Sequence, residues 1–200
     1  MRTHLTRAAL AVAALTLSGV AACSSSPESA GPAPTHRVPR HAAVAVGGCL
    51  MSVSTDINAK PTLSAPDSPA CTTTPTKLAF ADVIPGTGSA AKAGDSLSVK
   101  YVGLHWTTKQ QFQASWDGSP QTFDVSPLGT ASVIPGWNQG LIGVRRGDRR
   151  ILVVPASLAY GDAGSGEIAP NEALIFIVDI VSVTPGAAPS ASVATPSPTG

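Results

Sequence analysis

The chain has 200 residues, only 12% of them charged, and a formal net charge of +1, which gives no electrostatic basis for nucleic-acid binding. Its length allows one domain with appendages. The 18 prolines and 19 glycines predict that a substantial part of it lies outside any packed core.

The N-terminus has the pattern of an export signal. Arg2 and Arg7 are followed by an apolar stretch over residues 8–17, which is too short to span a bilayer as a permanent helix. The segment ends in Val20-Ala21-Ala22-Cys23, which resembles the lipobox of bacterial lipoproteins. We therefore expect residues 1–22 to be a signal peptide and Cys23 to carry a lipid that anchors the protein to the outer face of the cell membrane. The alternative is plain secretion with an incidental cysteine.

Two further cysteines, Cys49 and Cys71, remain for an oxidising compartment. A disulfide between them would stabilise the fold by roughly 3 kcal/mol, and two free thiols are the alternative. Their spacing matches no metal site. Residues 23–43 and 185–200 are low in complexity, and we expect a disordered tether and a disordered tail.

The residues between these two segments, 44–184, show patterns that mostly predict strands. Over residues 96–102, Leu97, Val99 and Tyr101 alternate with polar side chains, and 149–154 form a short aliphatic strand after a Gly147-Asp148 turn. Residues 173–183 are the longest apolar run after the signal and predict a central strand.

A short helix is predicted after Pro135-Gly136, because Trp137, Leu141 and Val144 recur at helical spacing. The fold class is α+β, an antiparallel sheet with one short helix on its concave face. Four arginines flank Gly147-Asp148, and they are interpreted as exposed residues on either side of a turn: Arg145, Arg146, Arg149 and Arg150.

Nucleophilic catalysis has no support in the sequence. His105 is the one histidine between the tether and the tail, and no Gly-x-Ser-x-Gly turn is present. Trp137 and Tyr160, in a region of aliphatic and small residues, instead suggest an apolar pocket with one phenolic hydroxyl. The alternative is that both are ordinary core residues.

A set of motifs in a fixed order gives the chain a family resemblance. The motifs are Gly86-Thr87-Gly88, Ala93-Gly94-Asp95, Val99-Lys100-Tyr101-Val102-Gly103, Phe112, Pro127-Leu128-Gly129, Val133-Ile134-Pro135-Gly136-Trp137, Leu158-Ala159-Tyr160-Gly161 and Leu174-Ile175-Phe176. Together they resemble the FKBP family of peptidyl-prolyl cis-trans isomerases, in its exported bacterial lipoprotein form. The resemblance covers residues 76–184, and residues 44–75 would be an extension packed on that domain or leading into it.

The resemblance implies a five- or six-stranded antiparallel sheet wrapped around one short helix, with the pocket between them. Tyr160, Ile134 and Tyr101 would be the catalytic residues, the Ile134 N–H and the Tyr160 hydroxyl donating to substrate carbonyls. Trp137 would be the pocket floor. The other substrate-binding residues would be Phe112, Val133, Ile168, Phe176 and Gln113. No cofactor or metal is implied; the partners would be prolyl segments of exported proteins and macrolide ligands, and the protein would be a monomer.

One departure concerns the pocket rim. The family usually pairs an acidic residue with an arginine at the positions of Gln113 and Gly118. Both are missing together, which leaves no buried charge unpaired. The sequence therefore predicts an isomerase of reduced activity. A lipid-anchored chaperone or peptide-binding module of the same fold, with little or no isomerase activity, is the alternative.

Overall fold

The structure is a computed structural model that describes residues 40–119 and 121–187. The predicted signal peptide, Cys23 and most of both predicted low-complexity segments lie outside the described residues. Within the described ranges there are nine strands and two short α-helices. The elements are β1 (His41–Val46), β2 (Cys49–Ser54), β3 (Leu63–Ser64), α1 (Pro69–Thr72), β4 (Ala79–Ile84), β5 (Ser96–His105), β6 (Gln111–Ala114), β7 (Phe123–Val125), α2 (Pro135–Gly140), β8 (Arg149–Val154) and β9 (Leu174–Thr184).

The main sheet is antiparallel and has six strands. Its order is β4-β8-β9-β5-β6, and β7 pairs with β5 beside β6. Strand β9 pairs on one side with β5 and on the other with β8, so the long apolar run is the central strand that the sequence predicted. The α+β class and the antiparallel sheet are confirmed.

Both faces of this sheet are covered, which explains why β8 and β9 read as continuous apolar runs rather than alternating ones. On β8, Leu152 and Val154 belong to the core beneath α2, whereas Ile151 and Val153 belong to a second core on the opposite face. Strand β5 follows the predicted alternation, since Leu97, Val99 and Tyr101 all lie in the core on the α2 side.

Helix α2 lies very close to β8. A Cβ on Gly136 would come within 2.4 Å of a Val154 methyl, and one on Gly140 within 2.3 Å of a Leu152 methyl. These two glycines therefore set the height of the helix above the sheet, while Trp137 packs into the core between them. The helix begins at Pro135, two residues before the predicted start, and ends at Gly140, before Leu141 and Val144, which are nonetheless fully buried.

The second core is covered by the N-terminal extension. Strands β1, β2 and β3 form a three-stranded antiparallel sheet, and the Cys49–Cys71 disulfide joins it to α1. The expected disulfide is thus present.

Two expectations about this region need correction. Strand β1 begins at His41, which lies inside the segment 23–43 that was predicted to be a tether. A second short helix, α1, is present in addition to the single helix that was expected. The extension is held against the main sheet because alternate residues of β2, Cys49, Met51 and Val53, are buried in the second core.

The interpretation of Arg149 and Arg150 as exposed residues beside a turn is wrong. Both are buried, and each guanidinium makes at least four hydrogen bonds. Arg149 pairs with Asp179, and Arg150 pairs with Asp82 at 2.6 Å. Arg150 also donates through Nη1 to the carbonyls of Gly140 and Ile142, each at 3.0 Å, and so satisfies carbonyls at the end of α2.

No helix in the described part of the chain is both long enough and apolar enough to cross a membrane.

Candidate active site

A cavity of about 190 Å³ opens between α2 and the concave face of the main sheet. Its walls come from β5, β6, β7, β9, the segment leading into α2 and the loop after β8. The lining residues are Tyr101, Gln113, Phe123, Ser132, Val133, Ile134, Trp137, Tyr160 and Phe176. None of these side chains carries a charge at neutral pH, so the cavity is suited to an uncharged, largely apolar group.

The floor of the cavity is an aromatic cluster around Trp137. The indole meets Tyr101 at 5.1 Å and Phe176 at 5.3 Å between ring centroids, both with nearly perpendicular planes. Such edge-to-face contacts are favourable beyond the area they bury. Trp137 is only 4% exposed, so its position is fixed by packing and the cavity is largely preformed.

Several polar hydrogens at the cavity have no hydrogen-bond partner within residues 40–119 and 121–187. Among them are the Ile134 backbone N–H, the Tyr160 and Tyr101 hydroxyls and the buried indole Nε1–H of Trp137. Ile134 stands immediately before α2, where its carbonyl accepts the Trp137 N–H at 3.0 Å while its own N–H remains available. The site therefore offers donors to a carbonyl-bearing ligand.

The Tyr101 hydroxyl is a neutral group. Burial raises the pKa of Tyr101, and the neighbouring Tyr160 raises it further. The phenol therefore stays protonated across the physiological range and can donate as well as accept a hydrogen bond.

Two of the expected substrate-binding residues, Phe112 and Ile168, do not line this cavity. They line a second depression, with Gln113, Tyr160, Ser165 and Glu167, which we name the side groove. Phe112 stacks edge-to-face on Phe176 at 5.9 Å, so it supports the cavity wall from behind. It can lie there because Gly103 has no side chain: a Cβ would come within 2.6 Å of the Phe112 ring.

Two lining residues, Phe123 and Ser132, are not among the site residues expected from the sequence. Phe123 meets Tyr101 at 5.9 Å and Trp137 at 6.0 Å, which makes it part of the aromatic cluster. A usable signal was present, because Phe123 and Val125 alternate in a short strand. Pairing with β5 then sets Phe123 opposite Val99, which is two residues from Tyr101 and on the same face of β5.

The rim beside Gln113 is held by contacts that do not involve the missing family pair. A single-turn 3₁₀ helix over Ser115–Asp117 follows β6, and the Ser115 Oγ accepts the Tyr101 backbone N–H at 2.9 Å. Asp117 accepts hydrogen bonds from Lys60 Nζ, at 2.8 and 2.7 Å, and from Gln111. These bonds, first Lys60 and then Gln111, lower the pKa of Asp117.

Within the described ranges, no group of three or more His, Cys, Asp or Glu side chains is placed to hold a metal ion. His105, the one histidine in the predicted isomerase domain, is engaged with Glu172 at 2.8 Å.

Comparison with known proteins places this geometry in a family. Residues 87–181 match the family described as FKBP-type peptidyl-prolyl cis-trans isomerase. An FK506-binding protein of Streptomyces anulatus is 49% identical over 112 residues, which cover 54% of this chain and 88% of that one. A probable FK506-binding protein of Corynebacterium glutamicum is 37% identical over 62% of this chain and 98% of its own.

Among solved structures, the N-terminal domain of FKBP42 from Arabidopsis thaliana matches with a TM-score of 0.50 and 20% identity, covering 54% of this chain and 87% of that one. That likeness speaks for the fold alone. The family match and the two sequence relatives show that the chain belongs to the family of FKBP-type peptidyl-prolyl cis-trans isomerases. It is an FKBP-type peptidyl-prolyl cis-trans isomerase.

Proposed function

We propose that this protein isomerises X-Pro bonds of exported proteins by removing the bond from water and stabilising its twisted form. The single observation that carries the proposal is an uncharged, aromatic-floored cavity that presents unpaired hydrogen-bond donors at its edge. The cavity needs no nucleophile for this task. The X-Pro bond prefers trans by only about 0.5–1 kcal/mol, yet rotation faces a barrier of about 20 kcal/mol because it breaks amide resonance.

The physical effect follows from the polarity of the amide. Resonance places negative charge on the carbonyl oxygen, and water stabilises that planar form. An apolar cavity without that water favours the less polar twisted amide, and walls complementary to the twisted shape add to the effect. Trp137 and Phe176 would hold the proline ring.

The donors would orient the substrate chain. The Ile134 N–H and the Tyr160 hydroxyl would each donate to a substrate carbonyl, with the neutral Tyr101 hydroxyl at the same wall. Because Ile134 is fixed by the start of α2, its N–H is preorganised and costs little ordering free energy on binding. Macrolide binding belongs to the same proposal, supported by relatives that are named FK506-binding proteins.

The test is a protease-free assay of cis-trans exchange on an Ala-Pro peptide by NMR, using the full chain with its disulfide intact. Turnover that Tyr160→Phe reduces, at an unchanged melting temperature, supports the site and the donor role together. A Tyr160→Phe variant with undiminished turnover contradicts the donor assignment. Trp137→Leu, which keeps an apolar floor, is expected to lose less activity than Tyr160→Ala.

Export and anchoring are proposed on separate grounds. The Val20-Ala21-Ala22-Cys23 run and the Cys49–Cys71 disulfide both fit a protein that matures outside the cytosol. Metabolic labelling with a radioactive fatty acid tests the anchor. Label that is incorporated by the natural chain and lost in Cys23→Ser supports it, and equal labelling of both contradicts it.

A further inference from the structure

The side groove and the cavity are neighbours that share two lining residues, Gln113 and Tyr160. A peptide whose proline occupies the cavity therefore has the side groove as one path for its flanking residues. The groove has a volume of about 340 Å³, enough to receive a long side chain. What the groove recognises would then influence which prolyl sites are used.

Glu167 is the one charged side chain among the described residues that line the cavity or the groove. It is exposed, and no described residue forms a hydrogen bond or an ion pair with its carboxylate. No lysine or arginine of the described ranges lines either depression, so its charge is not compensated within the groove. A cationic side chain of a ligand is the natural complement.

The other carboxylates of the same loop are placed differently. Glu172 is already engaged: Oε1 meets the His105 ring at 2.8 Å, and Oε2 accepts the Ala169 N–H at 2.9 Å. These bonds tie the loop to the end of β5 and so help to fix the groove wall that carries Glu167. Asp162 is exposed in the same loop but lines neither depression.

From this arrangement we propose that the enzyme prefers prolyl segments with a basic residue flanking the X-Pro pair, and that Glu167 determines this preference. The inference rests on the proposed isomerase function and specifies its substrate class. The groove, contiguous with the cavity, places the flanking residue near one uncompensated carboxylate. An exposed charge pair contributes modestly, so lysine is expected to be favoured over glutamate by about two- to fivefold in kcat/KM at low salt.

The experiment compares peptides that differ at one flanking position. Two series carry Lys, Ala or Glu, one just before the X residue and one just after the proline. Exchange is measured by NMR with the full chain, and peptide Kd is measured in parallel by titration. The expected result is a Lys-over-Glu preference in one of the two series. Glu167→Gln is expected to abolish it, Glu167→Lys to reverse it, and about 0.5 M salt to reduce it through screening.

Asp162→Asn provides the matched control, because it removes a carboxylate from the same loop outside the groove. It is expected to keep the preference. Equal use of the Lys and Glu peptides in both series, or a preference that survives in Glu167→Gln, would overturn the inference. Failure of the proposed function is seen separately: the Ala peptides would then bind without turnover, and the Kd ratio of the Lys and Glu peptides would still decide the role of Glu167.

Discussion

Arg149 and Asp179 form a bidentate ion pair across neighbouring strands, with Nε to Oδ1 at 2.5 Å and Nη2 to Oδ2 at 2.8 Å. The rest of the guanidinium donates to the carbonyls of Ser54 and Ala59 at 2.7 and 3.1 Å. One side chain thus joins the main sheet to the N-terminal extension. Arg149→Met would leave Asp179 buried and unpaired.

We expect Arg149→Met to lower the free energy of unfolding by about 3–5 kcal/mol, measured by urea denaturation. The double variant Arg149→Met with Asp179→Leu should recover much of this loss, because no charge then remains unpaired. A loss below about 1 kcal/mol in the single variant would mean that water reaches Asp179 and that the pair is not isolated from solvent.

The second prediction concerns the missing pair at the rim. Gln113 lines both depressions, and Gly118 lies at the end of the 3₁₀ turn with a φ of −98°, which an arginine adopts without strain. Gln113→Asp with Gly118→Arg is therefore expected to raise kcat/KM by about threefold, roughly 0.7 kcal/mol, by ordering the rim. Gly118→Arg alone serves as the control. No gain in the double variant would show that the Lys60–Asp117 contact already orders this segment.

Removing the disulfide should affect stability more than catalysis. Cys49→Ala with Cys71→Ala opens a loop with a sequence separation of 22 residues, and we expect a loss of about 3 kcal/mol in the free energy of unfolding. Because the extension covers the face of the sheet opposite α2, turnover at a temperature where the variant is folded should be nearly unchanged. A large drop in kcat there would imply that the extension shapes the pocket.

The pH dependence of stability has one identifiable source at Asp95. Its pKa is lowered to about 2, first by the Lys92 backbone N–H, then by the Gly186 N–H and the Lys92 side chain. An acid with a depressed folded-state pKa stabilises the fold above its unfolded pKa of about 4 and loses that contribution as the pH falls toward 2. The stability advantage of the natural chain over Asp95→Asn should therefore shrink between pH 4 and pH 2 in denaturation curves. An advantage that is constant over this range would contradict the assignment.

Sequence patterns predicted the parts of this fold that repeat with a period. Leu97, Val99 and Tyr101 alternate, and this alternation predicted the strand. The helix was predicted at the right place in the chain, although Leu141 and Val144 follow its last residue, Gly140. The central position of β9 followed from its unbroken apolar run. The resemblance supplied the cavity, whose members are far apart in sequence and meet only through strand pairing.

The rest depended on contacts that leave no local pattern. Arg149 and Arg150 were expected at the surface because arginine is mostly exposed in folded proteins. They can be buried because each pairs with an aspartate that is distant in sequence, Asp179 at 30 residues and Asp82 at 68 residues. The position of Phe112 behind the cavity wall depends on Gly103 in the neighbouring strand, because any side chain at residue 103 would overlap the Phe112 ring. The strand at His41 was missed because the alanine-rich composition around it resembles a linker.

The second core has a practical consequence for solubility. Apolar side chains of the main sheet, including Ile151, Val153, Ile175 and Ile177, are covered by Met51, Val53 and the disulfide of the extension. Residues 87–181, the limits of the family match, would leave this face bare. A fragment cut there would present a broad apolar surface to water and should self-associate. We therefore expect a fragment that stays soluble to start at or before Arg40, more than 40 residues upstream of the family match.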